Sequence, residues 1–253
     1  MCAILNGVSY HGLFPRLGCD LYLFSPIIAR ALDPIGSAGA SCRTPTFSRT
    51  TQSALGKTVR LMNRSKPSAH VRLMQTSSMS SGRPIRRRQP GAFVAALRAN
   101  SMARRCIALT RQNVPMLNEI DAKLRREGVR RGGYIAKHES APLDLIILSC
   151  GSELQHALAA AKELGAGTRV VSMPCMERFN REAEEYREEV LPTKCRRRVA
   201  IEAGVPEIWY QYVGLDGKVI GLHRFGLSAP GAEVMKEFGI DAQHVVDAAR
   251  SLS

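Results

Sequence analysis

Acidic residues are nearly missing from the first half of this 253-residue chain. Asp20 and Asp33 are the only two before Glu119, against seventeen lysines and arginines, whereas the remainder holds twenty acids and nineteen bases. The formal charge of +14 therefore resides in the first 118 residues, and this composition break needs a cause. Long apolar runs are missing as well. None approaches the roughly 20 residues of a membrane span, which argues against a transmembrane helix. The start, "MCAILNGVSYHGLF", has no basic leader region, which argues against a secretory signal. Paired cysteines are missing too. Cys2, Cys19, Cys42, Cys106, Cys150, Cys175 and Cys195 form no CxxC, an odd set that fits reduced thiols in the cytoplasm better than a disulfide framework or a zinc site. Aromatics are scarce at 6%, with none between Phe47 and Phe93. The arginine-rich run "GRPIRRRQP" (82–90) thus has no stacking platform beside it, which argues against nucleic acid as the partner.

From about Leu143 the pattern becomes regular. "LDLIILSCG" (143–151) is an apolar run ending in glycine, as expected of a buried parallel strand. "SELQHALAAAKELG" predicts a helix, with Ser152 and Gln155 as a capping box and Gly165 as its stop. "TRVVSMP" (168–174) and "RRVAIEAG" (197–204) read as further strands. Between them "ERFNREAEEYREEVL" reads as one charged helix in which Arg181 pairs with Glu185. Helical segments close the chain, the last amphipathic. Alternating strands and helices predict an α/β sheet with helices packed on it.

Residues 34–90 carry no sustained period and much Ser, Thr, Arg and Pro, a composition expected of disorder. Within them "SALGKT" (53–58) imitates the end of a phosphate loop. The first glycine of that pattern is replaced by Thr51 and no apolar strand precedes it, so the motif fails. Gly151-Ser152 offers backbone N–H groups to an anion, although an ordinary helix cap explains it better. Histidines 11, 70, 138, 156, 223 and 244 show no metal-ligand spacing. "ALTRQNVP" (108–115) is more suggestive, because an apolar stretch delivers Arg111 where α/β folds gather ligand groups. Spacing alone leaves a bidentate grip on phosphate or carboxylate and a surface ion pair equally open.

Several stretches resemble the transketolase family. "ALTRQNVPML" is similar to the family's "LSRQN" segment, and "LIILSCGSELQHALAAAKEL" to its "ILIATGSEV" strand and helix. "TRVVSMPCMERFNREAEEYREEVLP" and "RRVAIEAGVPEIWYQYVGLDGKVIGLHRFGLSAP" continue the match, so that it covers about residues 91–253. "MCAILNGVSYHGLF" resembles a segment of the family's pyrimidine-binding domain. The resemblance implies transfer of a two-carbon ketol unit between sugar phosphates, with thiamine diphosphate and Mg²⁺ or another divalent cation, in a homodimer. It places Phe24 beside the cofactor's aminopyrimidine ring and makes Arg111 a clamp on the substrate phosphate. No catalytic or metal-binding residue is assigned. The chain begins just after the position of the family's catalytic glutamate, and the diphosphate domain has no counterpart, so the isolated polypeptide is expected to lack turnover.

Between Pro15 and Pro90 the resemblance lapses. Codons chosen for Ser48-Arg49-Thr50-Thr51 spell Thr-His-Asp when shifted by one nucleotide, as the family has there. Roughly residues 16–90 are therefore expected to be out of frame, which accounts for the missing acids and the lost period together. The predicted organisation is a partly out-of-frame pyrimidine-binding remnant over 1–115, with 34–90 disordered, a linker over 116–140, and a C-terminal α/β domain over 141–253 with a mixed, mostly parallel sheet. Two alternatives remain: a non-catalytic module that dimerises or binds polyanions, or another thiamine-diphosphate enzyme sharing the C-terminal domain.

Overall fold

The computed structural model describes residues 114–224 and 227–252, together with the backbone of four short strands earlier in the chain. Three of these, β1 (Cys19–Leu21), β2 (Pro45–Ser48) and β4 (Arg105–Ala108), form a parallel sheet in the order β1-β2-β4. The register runs Cys19↔Thr46 and Thr46↔Cys106. The fourth, β3 (Val59–Arg60), pairs antiparallel with β10 (Ser228–Ala229). Strand structure thus enters the 34–90 stretch expected to be disordered, at Pro45–Ser48, where Thr46 and Phe47 are strong strand formers, and at Val59–Arg60.

The C-terminal domain is built on one five-stranded sheet. Its strands are β5 (Tyr134–Lys137), β6 (Leu145–Ser149), β7 (Thr168–Ser172), β8 (Arg198–Ile201) and β9 (Lys218–Ile220). The order is β5-β7-β6-β8-β9, with only β5 antiparallel. All five residues of β6 are buried, as are all five of β7, which is why these strands read as continuous rather than alternating apolar runs. Side chains still alternate between faces. Leu145 and Ile147 join one core with Val170, Val199 and Ile201. Ile146 and Leu148 join the other with Val171 and Ala200.

Helices cover both faces. Against the first pack α1 (Ala122–Arg131), α2 (Leu154–Glu163) and α7 (Ala242–Arg250), contributing Val129, Ala157, Leu158 and Val245. Against the second pack α3 (Met176–Phe179), α4 (Glu184–Val190) and α5 (Tyr210–Val213), contributing Phe179, Val190 and Tyr212. Burying each large apolar side chain contributes about 1.5–3 kcal/mol. One more helix, α6 (Gly231–Glu237), follows β10.

The segment 116–140, expected as a linker, belongs to this domain instead. Asp121 caps α1 by accepting from the Lys123 and Leu124 amides at 2.6 and 3.0 Å. Gly132 ends it in the left-handed conformation, φ +89°, and a Cβ there would lie 2.3 Å from the Cys175 carbonyl oxygen. The chain then enters β5 at once. Sequence reading missed this because α1 is Arg-rich and buries only Arg125, Gly128 and Val129.

The single charged helix expected over 177–191 is two helices, because Phe179 turns inward and the chain bends through Asn180–Ala183 before α4. Arg181 therefore leaves the helical frame that would pair it with Glu185. Its neighbour Glu182 pairs with Arg131 at 2.8 Å.

Candidate functional site

The chain leaves β6 toward α2 on one face, whereas β7 and β8 lead to α3–α5 on the other. Opposite exits from adjacent parallel strands open the crevice in which α/β folds usually place ligands. Here that position is filled by buried acids. After β6, Gly151 (φ +76°) opens a short 3₁₀ turn through Glu153, and Leu154 begins α2. The expected capping box does not form, and no side chain caps α2. Instead the Ser152 hydroxyl donates to Glu153 Oε1 at 2.6 Å, with both residues buried. A carboxyl group thus occupies the helix start where an anion would otherwise be received.

A second carboxyl follows β8. Glu202 accepts from Trp209 Nε1 at 2.6 Å, and the indole is completely buried. Burial pushes the Glu153 carboxyl up to about 7; the Ser152 hydroxyl opposes the rise and the charge of Glu202 adds to it. Glu153 therefore stays largely neutral below neutral pH, a buried acid tuned by its surroundings.

Several other titratable groups tie elements of the domain together. Arg169 donates from Nε to Glu139 Oε2 at 2.7 Å, pairs with the other carboxylate oxygen through Nη2, and reaches the Glu189 carbonyl at 2.6 Å. Its hydrogen bonds hold the Glu139 carboxyl below the usual range. Replacing Glu139 with Gln should lower stability by about 2 kcal/mol, read as a shift of the urea midpoint, because the guanidinium loses its charged partner in a largely buried place. The sequence carried no signal for this pair, whose members lie thirty residues apart.

His156 is held below its ordinary value by burial, against the pull of Asp241. Asp241 caps α7 through the His244 amide at 2.9 Å and faces His244 Nδ1 at 2.8 Å. Among the described residues no group of His, Cys, Asp and Glu is arranged to hold a metal ion. Cys150, Cys175 and Cys195 are buried without disulfides, and burial pushes the Cys175 thiol far up, so it is no nucleophile.

Phe24 and Arg111 lie outside the described residues. The strands that deliver them do not: Phe24 follows β1 by three positions and Arg111 follows β4 by three. Both strands pair parallel with β2, so the chain leaves toward both residues from the same edge of one sheet. His11 and His70 also lie outside the described residues, as do Cys2, Cys42 and the arginines of 82–90.

The described part of the chain is thus an α/β domain on a mixed, mostly parallel sheet, with Ser152, Glu153, Glu202 and the Trp209 indole buried at the ends of its central strands. Residues 132–241 match the family described as "Transketolase-like TK C-terminal domain", and the chain belongs to the transketolase family. It is 44% identical to a transketolase of Physarum polycephalum over 99% of this chain and 37% of that protein. Among solved structures, transketolase from Leishmania mexicana superimposes with a TM-score of 0.83 at 31% identity, over 99% of this chain and 36% of that one. A split-gene transketolase, solved as an inactive β4 tetramer, shares the fold with a TM-score of 0.74 at 19% identity, over 98% of this chain and 79% of that one. The chain spans about 37% of the length of the curated relative it matches. No helix among the described residues is long and apolar enough to cross a membrane.

Proposed function

We propose that this chain supplies the C-terminal domain and part of the pyrimidine-binding region of a transketolase, which moves a two-carbon ketol group from a ketose phosphate to an aldose phosphate. The observation that carries the reading is the match of 132–241 to the transketolase C-terminal domain, continued by sequence identity over the whole chain. Thiamine diphosphate, held with a divalent cation, supplies the carbanion-stabilising chemistry when bound. Among the described residues no group of His, Cys, Asp and Glu is arranged to hold the cation, and none is assigned to its contacts or to those of the diphosphate. Those contacts are assigned to residues outside the described ones or to another chain. Phe24 is the position of this chain assigned to the aminopyrimidine ring. Arg111 is assigned to the sugar phosphate, where its planar fork suits a bidentate grip.

The 253-residue polypeptide assayed by itself is expected to be silent with thiamine diphosphate, Mg²⁺ and sugar phosphates. Turnover should appear when a chain carrying the family's diphosphate domain is supplied. In that complex Arg111→Ala should raise KM for a phosphorylated donor about tenfold or more, with a smaller effect on a donor lacking the phosphate. Turnover by the isolated polypeptide, or equal KM values for both donors, would contradict the assignment. Residues 16–90 are proposed to be out of frame, and reading the gene in its other two frames tests this directly. If neither frame encodes a transketolase-like segment there, the idea fails.

A further inference from the structure

Two arginines are buried among the described residues, Arg125 of α1 at 3% exposure and Arg169 of β7 at 8%, and they are satisfied differently. Arg169 turns the Nε–Nη2 edge of its guanidinium to both carboxylate oxygens of Glu139 and gives Nη1 to the Glu189 and Val190 carbonyls. Arg125 uses Nη1 alone, which donates to the Leu117 carbonyl at 3.0 Å. Its Nε is enclosed without a partner, and among the described residues Nη2 makes no hydrogen bond and no carboxylate pairs with the group. The guanidinium groups that lie over aromatic rings there are those of Arg131 and Arg224.

Arginine keeps its charge when buried, and enclosing a charge without a counter-ion is strongly unfavourable. Arg197 shows the contrast: its Nε is also enclosed without a partner, but Asp144 meets its charge. The place of Arg125 on its helix deepens the imbalance. It lies in the first turn of α1, the positive end of the helix dipole, where no acidic residue is present and Lys123 adds a second base. The capping Asp121 does not neutralise it. That carboxylate accepts from the Leu124 and Lys123 amides, which hold it low, and the charge of Arg125 is the smallest of the causes. None of the twenty acids from Glu119 onward pairs with Arg125, and the first 118 residues hold only Asp20 and Asp33.

We propose that the Nε–Nη2 edge of Arg125 binds an oxoanion, a carboxylate or phosphate group whose two oxygens it grips as Arg169 grips Glu139. The site lies where the chain enters α1, between Leu117 and the first turn of the helix. Its anion comes from outside the described residues, either from solution or from Asp20 or Asp33. Arg125 has no part in the ketol-transfer reading, whose failure would leave the site standing.

The test is thermal unfolding of the full chain, followed by Trp209 fluorescence, in inorganic phosphate and in NaCl of equal ionic strength. Phosphate bound from solution should raise the wild-type midpoint over the chloride control by about 4 °C at ten times its dissociation constant. Arg125→Lys keeps the charge without the fork and should weaken this binding about tenfold, whereas Arg125→Met should abolish it. In chloride alone the methionine variant should be at least as stable as wild type, because it removes a buried charge that has no counter-ion there. Where the anion is the chain's own, phosphate adds nothing and Arg125→Met is destabilising. Asp20→Asn or Asp33→Asn then lowers the midpoint in wild type but not in the methionine variant. A phosphate effect of equal size in Arg125→Met overturns the proposal. So does a chain indifferent to phosphate in which neither aspartate substitution acts through Arg125.

Discussion

Stability of the C-terminal domain should fall as pH rises from about 4.5 to about 7, by an amount that disappears when Glu153 is replaced with Gln. The sign follows from the direction of the shift. Glu153 is completely enclosed, and its carboxyl is raised from an ordinary value near 4.5 to about 7. Across that window the folded chain keeps a proton that the unfolded chain has released, so raising the pH favours unfolding, and the effect levels off above the folded value. The shift corresponds to about 3 kcal/mol. Asp121, Glu139, Glu188 and Asp241 act in the opposite sense, since their carboxyls are held low and their contributions are lost in acid. They are present in both proteins and cancel in the difference. Urea unfolding at several pH values, followed by the fluorescence of Trp209, the chain's single tryptophan, measures that difference. Wild-type and Glu153→Gln curves that run parallel between pH 4.5 and 8 would refute the account.

Trp209→Ala should be the most destabilising single change in the domain, at about 4 kcal/mol. The indole is completely buried in the second core, 6.2 Å from Tyr212 in an edge-to-face arrangement, and it also donates to Glu202. Truncation removes the ring's packing and takes the indole donor from a buried carboxyl at the end of β8. Trp209→Phe separates the two contributions. It keeps most of the volume and the aromatic contact and loses only the N–H, so it should cost about half as much. Circular dichroism during urea unfolding reads both variants. A phenylalanine variant as unstable as the alanine one would assign the whole effect to the hydrogen bond, whereas one equal to wild type would remove the polar contribution.

What was legible in the sequence was what short-range physics writes there. β6 and β7 were visible because strands enclosed on both faces must be apolar throughout, and the end of α2 was visible because Gly165 supplies the left-handed turn, φ +97°. The family was legible for the same reason: the motifs that carry it lie in these enclosed segments and at their ends. The break in charge at residue 118 was equally plain from composition. Phe24 was singled out by resemblance, and Arg111 first by its place after an apolar stretch and then by resemblance; both lie outside the described residues, three positions after β1 and β4 in the chain.

What tertiary structure alone decided was where distant residues meet. That 122–137 is a helix and an edge strand rather than a linker depends on β7 accepting β5 antiparallel, a pairing across more than thirty residues. That the charged stretch after β7 breaks in two depends on Phe179 reaching the second core, against Tyr186 and Tyr212. That the Glu153 carboxyl is raised to about 7 depends on its complete enclosure and on Glu202 arriving from a strand some fifty residues later. Propensity and periodicity act over one or two turns of chain. Burial, and the electrostatics that burial strengthens, are properties of the assembled sheet and its two helical layers, and only the fold supplies them.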